Sequence, residues 1–265
     1  MPRTGRSTIQ GKYGDTLTVI GVDGDGNLIA VMKGNYNDTL KTISVDNDGR
    51  MIGVIKGVVD SYGAILMYDS FESSSFSWSK GGSAGYTIER STYLPFSGDC
   101  CLYMKTAATA GNIVTISKYQ SLKTSKLLNL ETRIKSIDPG NVDTIQYTFY
   151  FHDANSTYSS AKVRYDSQNG KWQIYTNGAW TDVPGMNIGM TSGAWNYVKI
   201  SLDFNTLKYV KLEYNSTSAD LSSYTMPHVV FPGTDLLDLN ITITTKNNVA
   251  SEIYIDSVLL MDETP

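Results

Sequence analysis

The side chains of this chain best suited to chemistry are aromatic. There are 18 Tyr and 4 Trp among 265 residues, and a flat ring with a polar edge can cover the C–H face of a sugar while its tip keeps a hydrogen bond. Trp172, Tyr175, Trp180, Trp195 and Tyr197 come from one central stretch and its neighbour. They define the expected glycan-binding platform, against the competing reading of each ring as sandwich core or packing between subunits.

Other chemistries find less support. Histidine is confined to His152 and His228. Gln146 and His152 share the stretch IQYTFYFHD at even spacing, which puts both on one strand face, but a His closing a strand beside Asp153 reads more simply as structural. The sequence has no Gly-x-Ser-x-Gly elbow, phosphate loop or Cys/His cluster. Asp23, Asp25 and Asn27 have the one-three-five spacing of a calcium loop, yet Gly34 stands where the bidentate Glu belongs and no helices flank them. They read as a hairpin turn, and the chain is expected not to be an enzyme.

Composition narrows the partners. Charged residues make up 18%, below the ~25% common in soluble domains, and Tyr, Ser, Thr, Asn and Gly fill the difference. The net charge is -4 and Lys/Arg runs never exceed a pair, so nucleic acid is not an expected partner. Nor is a membrane, because no run of ~18 apolar residues occurs, and Met1-Pro2-Arg3-Thr4-Gly5-Arg6 is not followed by the apolar core of a secretion signal. Cys100 and Cys101 are adjacent, where a bridge is strained. They read as buried thiols of a protein made in a reducing cytoplasm.

The elements that would position these residues begin with a repeat. GKYGDTLTVIGVDGDGNLIAVMKG (11–34) and GNYNDTLKTISVDNDGRMIGVIKG (34–57) superpose at a shift of about 23 residues. Each reads as strand, tight turn, strand, with Gly and Asn supplying the positive φ of the turn. Leu28-Ile29-Ala30-Val31-Met32 is apolar at every position, which offers oily groups on both faces. Two hairpins cannot bury both of their own faces. Residues 1–60 are therefore expected to form an assembly arm that borrows neighbours from other chains through Leu17, Val19, Leu28, Ile29, Val31, Leu40, Ile43, Met51, Ile52 and Val54. A linker, 61–68, and a domain, 69–265, follow.

That domain reads as all-β. Twelve candidate strands lie between Tyr86 and Leu260 with turn signals about every ten residues. Asn169-Gly170 and Asn177-Gly178 predict a three-stranded meander over 163–183, and Asn247-Asn248 predicts a turn closing a final hairpin. In WNYVKISLDF, alternation puts Val198, Ile200, Leu202 and Phe204 on the core side, opposite Trp195, Tyr197, Lys199 and Ser201. The strand number suits a two-sheet antiparallel jelly roll better than a seven-stranded sandwich.

The order Asp69-x-Phe71-Glu72, GDCCLYMK, LETRIKS, KVRYDSQNGKWQIYTNGAWTDV, WNYVKISLDF and Ile253-Tyr254-Ile255-Asp256-Ser257-Val258 resembles the concanavalin-A-like, laminin-G-type jelly roll. That superfamily holds lectins, carbohydrate-binding modules, glycosidases and lyases. Its laminarinase-type glycosidases carry Glu-x-Asp-x-Glu on one strand and its lyases pair Gln-x-His with Tyr-x-Lys-x-Gly; the first phrase is missing, and Gln146 and His152 lack the second. Calcium between first and last strands is common in the superfamily, and Asp69, Glu72 and Asp256 stand at the corresponding ends. The doubled DTLxxxxVDxDGxxIxVxKG phrase after MPRTGR resembles the N-terminal repeats of tailed-bacteriophage structural proteins. This second resemblance implies a virion surface protein, a homo-oligomer and specifically a trimer. It would be assembled in the host cytoplasm with capsid or tail proteins, as a capsid decoration, head fibre or tail appendage displaying a jelly roll toward host glycans.

Overall fold

The computed structural model describes residues 64–262 apart from 122–126, 154–156 and 231–235, and before them the backbone of 20–22, 28–32, 41–42, 44–45 and 51–52. The chain divides into two compact units, Met1–Ile65 and Leu66–Thr264.

In the first unit, β1 (Ile20–Val22) pairs antiparallel with β2 (Leu28–Met32), placing Val22 opposite Leu28. The second repeat copies this: β4 (Ser44–Val45) meets β5 (Met51–Ile52) with Val45 opposite Met51. β3 (Lys41–Thr42) pairs with β2. The same letters 23 positions apart thus give the same register. Leu17, Val19, Leu40, Ile43 and Val54, and the turn residues Asp23, Asp25 and Asn27, lie outside the described residues.

The second unit is a two-sheet antiparallel sandwich. Its strands are β6 (Ala64–Asp69, crossing the division), β7 (Ser79–Gly82), β8 (Thr87–Ser91), β9 (Cys101–Lys105), β10 (Ile113–Ser121) and β11 (Leu127–Ser136). They continue as β12 (Val142–Asp153), β13 (Thr157–Asp166), β14 (Lys171–Thr176), β15 (Ala179–Asp182) and β16 (Asn196–Asp203). The last are β17 (Lys208–Tyr214), β18 (Thr217–Asp220), β19 (His228–Val230), β20 (Leu236–Thr245) and β21 (Glu252–Asp262). One sheet runs β15-β14-β13-β12-β20-β10-β7, with β19 also on β13. The other runs β18-β17-β16-β11-β21-β6, with β9 also on β21 and β8 on β9.

Alternation builds the core between them. Ile145, Tyr147, Phe149 and Phe151 of β12 and Leu237, Leu239, Ile241 and Ile243 of β20 point inward from the first sheet. Val198, Ile200, Leu202 and Phe204 meet them from the second sheet, as the period-two reading requires. At about 25 cal/mol per Å² of apolar area, such rows supply the main stabilisation. The meander forms as expected, with Asn177 at φ 51 and Gly178 at φ +80, the double left-handed geometry of a two-residue hairpin turn.

Two expectations change. β20 and β21 belong to opposite sheets, so 246–251 is a corner between layers rather than a hairpin turn. Side chains hold that corner: Ser251 Oγ donates to the Asn141 carbonyl at 2.8 Å and Thr245 Oγ1 donates to that of Val249 at 2.8 Å. The stretch expected as a linker also carries β6 beside β21, for AILMYD is apolar enough to join a sheet.

Candidate functional site

The outward face of the first sheet is polar and aromatic. Residues of opposite phase to the core fall into lateral rows because the register is continuous across strands. One row is Thr115, Thr242, Gln146, Arg164, Gln173 and Asp182. Hydrogen bonds run along it: Thr115 and Thr242 hydroxyls meet at 2.9 Å, Arg164 Nε donates to Gln173 Oε1 at 2.8 Å, and Gln173 Nε2 donates to Asp182 Oδ1 at 2.7 Å. Lys171 Nζ takes the other Asp182 oxygen at 2.6 Å. Gln173 first, then Lys171, holds the Asp182 carboxyl below its ordinary range.

The meander end of this face carries two rings and two cations. Tyr175 and Trp180 are cross-strand partners, 5.4 Å apart edge to face, and both are half-buried. Lys162 Nζ lies 5.1 Å from the Tyr175 centroid and the Arg164 guanidinium 4.1 Å from that of Trp180. Burial pushes the Arg164 pKa down, while Asp166 and Asp143 oppose this. Tyr209 fixes the scaffold beneath. Reaching across from β17, its hydroxyl donates to the Tyr175 carbonyl at 2.7 Å and accepts the Lys162 amide at 3.0 Å.

Further along the same face, Asp238 lies between Tyr119 and Tyr150 in register. Tyr150 stacks on Tyr158 at 5.8 Å, and His152 meets Tyr158 at 4.7 Å. Desolvation raises the Asp238 pKa, with Asn240 and His152 pulling it back. Among the described residues, Asp238 Oδ1 and Asn240 Nδ2 are buried without a hydrogen-bond partner of good geometry. Asn240 and His152 offset part of the burial cost of the Asp238 carboxylate, and a ligand or water would relieve the rest.

The five rings expected to form one platform are therefore divided. Tyr175 and Trp180 share the polar face. Trp172 is fully buried, packed against the rings of Tyr165 and Tyr214 and stacked on Tyr147 at 6.5 Å; β14 alternation turns it into the core, which removes it from the glycan-binding set. Trp195 and Tyr197 lie on the outer face of the second sheet and support the segment 91–99. Trp195 Nε1 donates to the Leu94 carbonyl at 3.2 Å and packs on Phe96, while Arg133 is sandwiched between Phe96 and Tyr197 at 4.9 and 4.3 Å. They belong to a different surface from Trp180.

The carboxylates considered for calcium serve the same segment and its neighbours. Asp256, fully buried, accepts the amides of Phe96 and Ser97 at 2.8 and 3.0 Å and the Ser257 hydroxyl at 2.9 Å. Glu72 accepts those of Asp99 and Cys100 at 3.0 and 3.1 Å. Gly98, at φ +66, permits this approach, since a Cβ there would sit 2.2 Å from Glu72 Oε1. Asp69 accepts the Phe71 amide and Trp78 Nε1, both at 2.8 Å. Each acid is a loop clamp, and among the described residues no three His, Cys, Asp or Glu gather as a metal site. Asp69, Glu72 and Asp256 do not fit a shared ion. Beneath the clamped segment, Cys101 Sγ contacts the Ser91 and Tyr93 carbonyls at 3.6 Å, and burial pushes its thiol up to about 12.

A family model described as "Domain of unknown function (DUF6772)" matches residues 132–264, half of the chain. The chain belongs to this family. The match spans β12 to β21 and so includes every residue of the meander platform. Comparison with curated proteins finds no match. Solved structures share the fold: "Cellulose induced protein, Cip1" at TM-score 0.52 and 12% identity, covering 73% of this chain and 96% of that one. The endo-β-1,4-glucuronan lyase of Trichoderma reesei gives 0.50 at 10% identity, covering 75% and 95%. The T. cruzi calreticulin globular domain gives 0.50 at 9%, covering 76% and 89%. At these identities the likeness establishes the jelly roll and nothing finer.

Sequence reading missed Lys162, Arg164, Gln173, Asp182, Tyr150, Tyr158, Asp238 and Asn240. The available signal was phase: Gln146, Tyr150 and His152 alternate with the core residues of β12, and Asp238 and Asn240 with those of β20.

Proposed function

We propose that this protein binds glycans without cleaving them, through the outward face of the sheet that carries Tyr175 and Trp180. The observation that carries this reading is the pairing of those two half-buried rings on a polar sheet face, flanked by hydrogen-bonding side chains in register. Rings take the C–H faces of a sugar and the adjacent Gln, Asn, Asp and Thr groups take its hydroxyls. The jelly-roll neighbours include an endo-β-1,4-glucuronan lyase, which supports a polysaccharide-sized ligand on this fold.

In the same proposal, the hairpin arm anchors the protein in a larger assembly, a trimer on the surface of a tailed-phage virion. Support comes from the repeated sequence, its two-sided apolar strand Leu28–Met32, and the matching hairpin registers of the two copies. Glycan-array binding of the full chain and of Trp180→Ala tests the first half; equal binding by both, or binding by neither, would reject it. Release of reducing or unsaturated ends from a bound glycan would reject the non-enzymatic part. Mass spectrometry of purified particles tests the virion setting, and absence of the protein from them would reject it.

A further inference from the structure

Lys162 and Arg164 are two residues apart on β13, so both project from the same face, about 7 Å apart along the strand. Each stands over a ring of the platform. Among the described residues neither has a carboxylate within ion-pair distance. The nearest acid in the row is Asp182, and it does not pair with Arg164. Gln173 stands between them, accepting from Arg164 Nε and donating to Asp182, whose second oxygen is held by Lys171. The row therefore fixes the guanidinium through Nε and leaves its two Nη groups, and the Lys162 ammonium, without a hydrogen-bond partner among the described residues. A guanidinium held in this way offers the fork that suits a carboxylate or sulfate. Asp166 and Asp143 offset part of the burial of Arg164 from beyond ion-pair distance, and a bound anion would supply the direct partner that a half-buried cation lacks.

We propose that the platform selects anionic polysaccharides, with Lys162 and Arg164 pairing the acid group of a sugar whose ring lies on Tyr175 and Trp180. This rests on the glycan reading of the same face. An array of two cations and two rings, on a chain whose net charge is -4, marks local selectivity rather than a generally basic protein.

The test is affinity electrophoresis of the full chain in polygalacturonate, carboxyl-reduced polygalacturonate, alginate, a sulfated carrageenan and neutral xylan. Expected is at least about tenfold tighter retention by an acidic polymer than by the neutral or carboxyl-reduced ones, the scale of one charge-assisted contact. Added NaCl should weaken it. Preference for the uronates or for carrageenan identifies carboxylate or sulfate as the group read. Arg164→Gln should lose about tenfold toward the acidic polymer, with Arg164→Lys recovering part of it, and both variants should match the parent melting temperature within a few degrees. Equal retention by acidic and neutral polymers, lost in Trp180→Ala but not in Arg164→Gln, would overturn the anionic selectivity and keep the glycan reading. Retention of none of the five polymers would overturn both.

Discussion

The Arg164 guanidinium lies 4.1 Å from the centre of the Trp180 ring. A contact of this kind contributes about 0.5–1 kcal/mol when exposed and about 2 kcal/mol when desolvated, so at this half-buried site it orders the ring and adds modestly to the fold. Trp180→Ala should therefore lose about fivefold or more in glycan affinity, since each stacked ring contributes on the order of 1 kcal/mol or more to binding. Its melting temperature should stay within a few degrees of the parent, while Trp180→Phe keeps part of the affinity. Isothermal titration with a bound oligosaccharide measures both variants. Full affinity in Trp180→Ala would contradict the role of this ring.

Tyr209 joins the two sheets beneath the platform. Tyr209→Phe removes the donor to the Tyr175 carbonyl and the acceptor of the Lys162 amide. The unmet groups should cost about 1–3 kcal/mol, a fall of about 3–10 °C in melting temperature for a unit of this size. Calorimetry reads the loss. An unchanged transition would mean that the hydroxyl does not clamp the strands.

Asp256 gives a graded prediction for segment 91–99. Asn can keep an acceptor toward Phe96 and Ser97 and a polar group toward Ser257, losing charge alone; Ala strands two amides. Asp256→Ala should cost about 2–4 kcal/mol, and Asp256→Asn about half of that. Cys101, fully buried under the segment, should react with a thiol reagent at pH 8 faster in Asp256→Ala than in the parent. Equal labelling rates would show that the segment stays closed without its carboxylate.

Asp238 predicts a pH effect of unusual sign. Its folded-state pKa is raised above the ordinary 3.8, first by desolvation, so the native state keeps its proton longer than the unfolded chain. Stability is unaffected below the ordinary value and declines as pH rises through the raised one. Asp238→Asn should thus match the parent near pH 3 and melt higher than the parent near pH 7. Scanning fluorimetry across that range checks it, and a gap that closes with rising pH would contradict the burial argument.

The fold was legible where alternation is strong. All twelve strands read from the sequence occur, and Asn177-Gly178 placed the meander because few other pairs tolerate two positive φ values in a row. β7 and β18, spelled SKGG and TSAD, carry almost no apolar signal and join the sheets as edge strands on backbone pairing. The corner at Asn247-Asn248 looked like a hairpin turn, because turn letters record a change of direction and not which sheet receives the next strand. The candidate site was half legible as an arrangement of side chains. Aromatic type pointed to Tyr175 and Trp180, but Trp172 is one residue out of phase with the polar face formed by Lys171 and Gln173. Trp195 and Tyr197 gave no hint of the segment they support. Lys162 and Arg164 were invisible as a pair because their significance depends on Gln173 and Asp182, which are brought beside them only by the sheet register.

The most direct test is amide chemical-shift mapping of the full chain titrated with the oligosaccharide that it retains best. Shifts concentrated on Lys162, Arg164, Gln173, Tyr175 and Trp180, extending toward Tyr150 and Asp238, are the predicted result. Shifts confined to 91–99, Trp195 and Tyr197 on the opposite sheet would contradict the assignment of the binding face.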